Sequence, residues 1–264
     1  AGGLRISYSR LNGSGEDISA ADLALARAAA ASRNDADILP TASLLYTVDQ
    51  RLRVYLSYAQ GFRPGGLAVD RGGVRRFRHD RIETWEAGAR WTDALGLPID
   101  ASVSLSHNRW RDIQADFIDG NGFPTTANIG NGRITSLSAV LAVRASSQLS
   151  FELAGIINHG RVDTLSSEAS GLLQQWSERQ SLSLPLGVSP STRPLTSGTA
   201  LSPLQPSTVP ASGRIPNVAS HSLRGSAGYA MIVGAHDLRL NGWVQYVGPS
   251  RLGIGPILGH KQGN

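Results

Sequence analysis

From Ile99 to Asn108 the chain alternates apolar and polar residues. Ile99, Ala101, Val103 and Leu105 fall on one side of an extended strand, and Asp100, Ser102, Ser104, Ser106 and Asn108 fall on the other. One face of such a strand lies outside any apolar core. The same two-residue period recurs along the chain. Leu52, Val54, Leu56 and Tyr58 alternate with Arg53, Tyr55, Ser57 and Ala59, and Trp85, Ala87, Ala89 and Trp91 with Glu86, Gly88 and Arg90. Leu137, Ala139, Leu141 and Val143 stand against Ser136, Ser138 and Arg144. Leu149, Phe151, Leu153 and Ile157 stand against Ser150, Glu152 and Asn158. Leu223, Ala227 and Tyr229, then Leu238, Leu240, Val244 and Tyr246, complete the series. Runs from Leu4 to Leu11 and over 38–47 precede them.

The connections between these strands sort by length. Short ones near 49, 95, 146 and 235 alternate with long ones over 12–37, 62–81, 112–130 and 160–217. All short turns therefore lie at one end of the strands and all long loops at the other. The aromatics follow the same division. Tyr46, Trp91 and Tyr229 approach the short-turn end, whereas Tyr58, Trp85 and Tyr246 approach the long-loop end. A sandwich gives no reason for such sorting; a membrane does, since transmembrane barrels combine short turns inside, long loops outside and two aromatic girdles. The expected fold class is all-β, an antiparallel transmembrane β-barrel represented here in part, by roughly nine to ten strands. Leu105, Leu141, Leu153 and Leu240 should face lipid, and Ser104, Glu152 and Asn241 the lumen.

Two of the long connections have a character of their own. Ser19-Ala-Ala-Asp22 before LALARAAAASR has the form of a helix start, which predicts a short helix inside 12–37. Residues 160–217 end in a stretch dense in proline, serine and threonine, expected to be an extended loop rather than a linker, because the strand pattern resumes unchanged after it.

Composition removes other classes. No apolar run reaches the roughly 18 residues of a spanning helix, and the opening AGGLRISYSR lacks a signal-peptide core. The 264 residues include no cysteine, so no disulfide framework or thiolate metal site is available. The charge of +5 rests on arginine, with Lys261 the sole lysine. These arginines are scattered without a nucleic-acid-binding frame, so no nucleic acid is expected as a partner. No protease, lipase, phosphate-loop or dinucleotide motif occurs, and the six histidines lack ligand spacing. No enzyme activity, metal or cofactor is expected. His159 and His221 are the histidines near strand rims with serines close by, where a hydrolytic barrel would place its base. Asp100, Glu86 and Glu152 beside Arg53, Arg90, Arg224 and Arg239 read as a polar interior lining.

A series of short motifs carries a more specific signal. These are Leu56-Ser-Tyr-Ala-Gln-Gly-Phe-Arg-Pro-Gly-Gly66, Glu83-Thr-Trp-Glu-Ala-Gly-Ala-Arg90, Asp112-Ile-Gln114, Ala127-Asn-Ile-Gly130, Ile215-Pro-Asn-Val218 and Tyr246-Val-Gly-Pro-Ser-Arg251. In order and spacing the series resembles the C-terminal half of the barrel of TonB-dependent outer-membrane receptors. The chain departs from the pattern at Ser136-Leu137-Ser138, where a Gly-hydrophobic-Glu signature is usual, and in the length of 160–217. The resemblance implies residence in the bacterial outer membrane, contact with its lipid, and TonB-energised uptake of a scarce nutrient, a ferric siderophore above all. It implies a plug domain, absent from 1–264, through which TonB would act, and hence a partial barrel. A passive porin-like or adhesive barrel is the alternative. Ligand capture is expected in the loop after the third strand, where Arg71, Arg75, Arg76, Arg78 and Arg81 gather with His79, balanced by Asp70 and Asp80. The planar guanidinium fork suits carboxylate or phosphate oxygens.

Overall fold

A computed structural model describes residues 1–11, 33–70, 73–118, 124–171, 174, 213–234, 236–251, 253 and 261–262. The chain begins with β1 (Gly2–Leu11), β2 (Arg33–Thr47) and β3 (Leu52–Arg63). A small hairpin follows, β4 (Gly66–Asp70) and β5 (Gly73–Phe77). Then come β6 (Asp80–Trp91), β7 (Ile99–Ile118), β8 (Pro124–Arg144), β9 (Leu149–Leu165), β10 (His221–Val233) and β11 (His236–Val247). All but β4 and β5 join one nine-stranded antiparallel sheet in the order β1-β2-β3-β6-β7-β8-β9-β10-β11. Two-residue strands β12 (Ser250–Arg251) and β13 (Lys261–Gln262) pair separately.

Register carries the alternation across the sheet, because residues opposite one another share a face. Leu105 stands opposite Leu137, Leu141 opposite Leu153, and Leu153 opposite Gly225, whose partner is Val244. Leu105, Leu141, Leu153 and Leu240 thus lie on one outward face and are 41–56% exposed. Ser104 lies on the other face, its hydroxyl 2.7 Å from that of Ser138. The aromatics form two levels on the outward face. Tyr58 and Trp85 pair with ring centroids 4.6 Å apart, and Trp91 lies six residues further along β6, about 20 Å at the rise of a strand.

The short turns are tightly tied. Asp49 Oδ1 accepts the N–H groups of Arg51 at 2.7 Å and Leu52 at 2.8 Å. These donors, Arg51 first, hold its carboxyl below the usual range. At the next turn Arg144 reaches Asp100 at 2.6 Å and also binds Asp93.

Three expectations about the long connections need correction. The stretch 62–81 is not an open loop, since β4 and β5 pair within it. The stretch 112–130 is mostly strand, since β7 runs to Ile118 and β8 starts at Pro124. A β-bulge hides this from periodicity: register shifts at Trp110/Ile113 and Ile113/Gln114, with Asp112 at φ 52°, throw the alternation out of phase. Likewise β9 continues to Leu165 past a shift at Asn131/Gly132. The helix expected after Ser19 and most of the proline-rich stretch lie outside the described residues.

Candidate functional site

Beyond the long-connection ends of β3, β6, β7 and β8 the sheet rises into a knot of polar groups over a small apolar cluster. Ile113, Ala115, Ile129, Ile134, Val162, Ala169 and Ile215 form the cluster, with Trp110, Leu165 and Val218 packed against it. Above it lie the buried polar residues Asp37, Asp80, Gln114 and Asn128, each less than a tenth exposed. Burial of such groups is costly unless their hydrogen bonds are met, and here they are met by residues far apart in sequence.

The knot begins where β3 ends. Pro64 has no N–H to continue the ladder. Gly66 leaves room for the Phe77 ring, which a Cβ there would meet at 2.3 Å. Arg63 Nε donates to Asp80 Oδ2 at 3.1 Å, and its Nη2 donates to the Gln114 carbonyl at 2.9 Å. The Gln114 amide donates to the carbonyls of Pro64 at 3.0 Å and Arg78 at 2.9 Å. Asn128 behaves as a strand would. Its Oδ1 accepts the Arg78 N–H at 2.6 Å, and its Nδ2 donates to the Arg78 carbonyl at 2.9 Å and the Asp112 carbonyl at 2.6 Å. Two residues on, Gly130 adopts φ 131°, and a Cβ there would lie 1.8 Å from the Thr164 carbonyl oxygen.

Of the arginines singled out by sequence, Arg71 lies outside the described residues. Arg75 and Arg76 stand on β5 opposite Ala68 and Leu67, with the Arg76 side chain exposed. Arg78, His79 and Arg81 are drawn into the knot. Arg78 Nη2 is 2.7 Å from Asp112 Oδ1, His79 Nδ1 is 3.6 Å from Asp35 Oδ1, and Arg81 Nε donates to Asp37 Oδ2 at 3.0 Å. The five described residues therefore divide between the β4–β5 hairpin, with Arg75 and Arg76, and the tied rim, with Arg78, His79 and Arg81. Periodicity gives no signal for Asp37, Gln114 or Asn128, although the last two lie in the short motifs Asp112-Ile-Gln114 and Ala127-Asn-Ile-Gly130.

The inward face below the rim is polar. Tyr55 donates its hydroxyl to Glu86 and lies across Gly88, where a Cβ would meet its ring at 2.6 Å. A hollow beside it is lined by Tyr55, Arg90, Asp100, Ser102 and Glu152, and Arg224 stands 5.1 Å over the Trp243 ring. His221 has Ser220 Oγ at 3.0 Å from Nδ1, with its ring beside Tyr246 and against Gly248. This contact packs the start of β10 onto the segment after β11. Among the described residues no group of histidines and acids is placed to hold a metal.

The motifs at 62–66, 112–114, 127–130 and 215–218 thus meet at one rim, and the Asn217 N–H adds the Arg251 carbonyl to them at 2.6 Å. A family model described as TonB dependent receptor-like, beta-barrel, matches residues 1–254. The chain belongs to that family. Its place is the bacterial outer membrane. Among solved structures, the receptor chain is similar to the ferric yersiniabactin uptake receptor FyuA from Yersinia pestis, with 17% identity and a TM-score of 0.56 over 88% of this chain and 29% of that one. It is also similar to the FrpB iron transporter from Neisseria meningitidis, with 11% identity and a TM-score of 0.53 over 95% of this chain and 31% of that one. At these identities the likeness concerns the fold, and the chain spans less than a third of either structure. A comparison with curated protein sequences found no match.

Proposed function

We propose that this chain is wall and outer rim of a receptor that takes up a scarce nutrient across the outer membrane with energy relayed by TonB, the cargo being a ferric siderophore. The observation that carries this reading is the two-sided sheet, lipid-facing leucines against a polar inner face, in a chain matched by the receptor family over 1–254. The named cargo of the FyuA structure supports the ligand class. Among the described residues no strand pairs with the far edge of β1 or of β11; unpaired backbone groups are costly in lipid, so further strands complete the wall, and a plug domain would occupy the lumen and contact TonB.

Capture is assigned to the hairpin side of the rim. Arg78, His79 and Arg81 face aspartates, so their part is to hold the base of the β4–β5 hairpin. Arg76, exposed on β5, then presents positive charge to an anionic chelate, and the sequence adds Arg71 and Arg75 as proposed contributors, with an attraction that weakens as salt rises. The test is uptake of labelled ferric siderophores by cells whose other receptors are deleted, with and without TonB. Uptake should require TonB and fall when Arg75 and Arg76 are both changed to glutamine, with barrel assembly preserved. Uptake that persists without TonB would replace this reading with a passive pore.

A further inference from the structure

Strands β2 and β3 pair over less than half the length of β2. Their register runs from Thr47 opposite Arg53 to Thr41 opposite Ala59 and stops there. Beyond that point residues 33–40 pair with β1, out to Arg33 opposite Leu11, while residues 60–63 pair with β6. Among the described residues the sheet therefore has a seam between β2 and β3 at the long-connection end. Pro40 marks its start for a physical reason. Ala1 and Ser43 exchange both backbone bonds, so odd-numbered residues of β2 point their N–H groups at β1 and even-numbered ones at β3. Pro40 falls among the even-numbered residues and brings no N–H to the ladder it would continue.

Side chains close the seam where the ladder ends. Asp37 is 8% exposed, and its Oδ1 accepts the N–H of Ile38, an even-numbered donor, at 2.9 Å. The same carboxylate takes Arg81 of β6 from across the seam, with Nη2 at 2.5 Å and Nε at 3.0 Å. Two residues along β2, Asp35 Oδ2 accepts the Gly65 N–H at 3.2 Å, and Asp35 Oδ1 lies 3.6 Å from His79 Nδ1. Two aspartates of β2 thus stand in for the missing ladder, and what they hold lies on either side of the β4–β5 hairpin. Side-chain bridges open more readily than a continuous strand ladder, because fewer bonds must break together. We propose that the seam is a latch: β2 parts from β3 as far down as Pro40 when Arg81 and His79 let go, and the base of the hairpin is released with it. Opening exposes the even-numbered amides of β2 and leaves the odd-numbered ones bonded to β1. The proposal concerns the wall alone and stands whatever cargo the receptor carries.

The test uses the receptor as it assembles in the outer membrane, reconstituted into bilayers. Amide hydrogen exchange is read residue by residue, by fragmentation in the mass spectrometer, and expressed as protection. In wild type Ala36 and Ile38 should be less protected than Asp37 and Leu39, and less than Leu44, an even-numbered residue still paired with β3. Arg81→Gln should lower the protection of Ala36, Ile38 and the β4 amides roughly tenfold, with Asp37 and Leu39 unchanged. A general loosening of the sheet would lower all of them alike. Pro40→Ala returns the missing N–H and should raise the protection of Ala36 and Ile38, in wild type and in the Arg81→Gln background. It decides the matter if Arg81→Gln fails to assemble. Equal protection of even- and odd-numbered amides in wild type, an equal loss at both sets in Arg81→Gln, unmoved β4 amides, or no gain in Pro40→Ala would each overturn the proposal.

Discussion

Ser104 and Asn128 are polar residues on neighbouring strands of one sheet, and they do different work. The Ser104 hydroxyl lies 2.7 Å from that of Ser138, in a stretch where the β7–β8 ladder is unbroken. Backbone groups there satisfy one another, so a side chain need only suit the medium it faces. Asn128 lies where bulges have interrupted pairing, is 1% exposed, and supplies three hydrogen bonds to backbone groups of Arg78 and Asp112. In the span the polarity of a residue matters; at the rim its identity does, because side chains replace the ladder.

The sharpest way to break that contrast is Gly130→Ala, a change of one methyl group. It combines a positive φ with a Cβ placed 1.8 Å from the Thr164 carbonyl oxygen, and should cost about 4 kcal/mol. The fraction of receptor assembled in the outer membrane checks it, and normal assembly would show that the rim yields freely. In the span, the effect should depend on face. Leu105→Arg, between the two aromatic levels, should cost about 2–4 kcal/mol near the bilayer midplane, with Ser104→Arg costing far less. Unfolding of the receptor in bilayers compares the two, and equal tolerance would undo the assignment of faces.

Smaller effects refine the comparison. Asn128→Ala should destabilise by about 2 kcal/mol, since it strands buried backbone groups, whereas Ser138→Ala should cost under about 1 kcal/mol. The same unfolding measurement, supplemented by proteolysis of the 66–77 hairpin, checks this. The least effect is expected at the opposite end of the sheet. The backbone N–H groups of Arg51 and then Leu52 depress the Asp49 pKa. Their stabilisation is therefore present above the ordinary carboxylate value of about 3.9 and lost as pH falls through the depressed one. Wild type should exceed Asp49→Asn in stability near neutrality, and the gap should close under acid conditions. A gap independent of pH would assign the turn to shape rather than charge.

The faces of the strands were legible because alternation is local. Whether Leu141 or Ser104 meets lipid depends on parity within a strand, which a few residues decide without knowledge of their partners. The reading of strand ends failed at Asp112 and beyond Asn158, where bulges shift parity and a continuous strand imitates a loop. Motif order also identified the rim segments, although nothing in Asp112-Ile-Gln114 says that its glutamine meets Pro64 and Arg78.

By itself, then, the sequence determined the two-faced sheet, the sorting of turns from long connections and the levels of the aromatics, all set by spacing along the chain. Tertiary structure alone decided which of twenty acids each arginine faces. Arg81 meets Asp37 across 44 residues, Arg63 meets the Gln114 carbonyl across 51, and Arg109 aligns with Arg133 and Arg161 only once three strands take their register. The reason is physical. A side chain's face follows from its own backbone, whereas its partner follows from strand register, which is set by the hydrogen-bonding of the whole sheet.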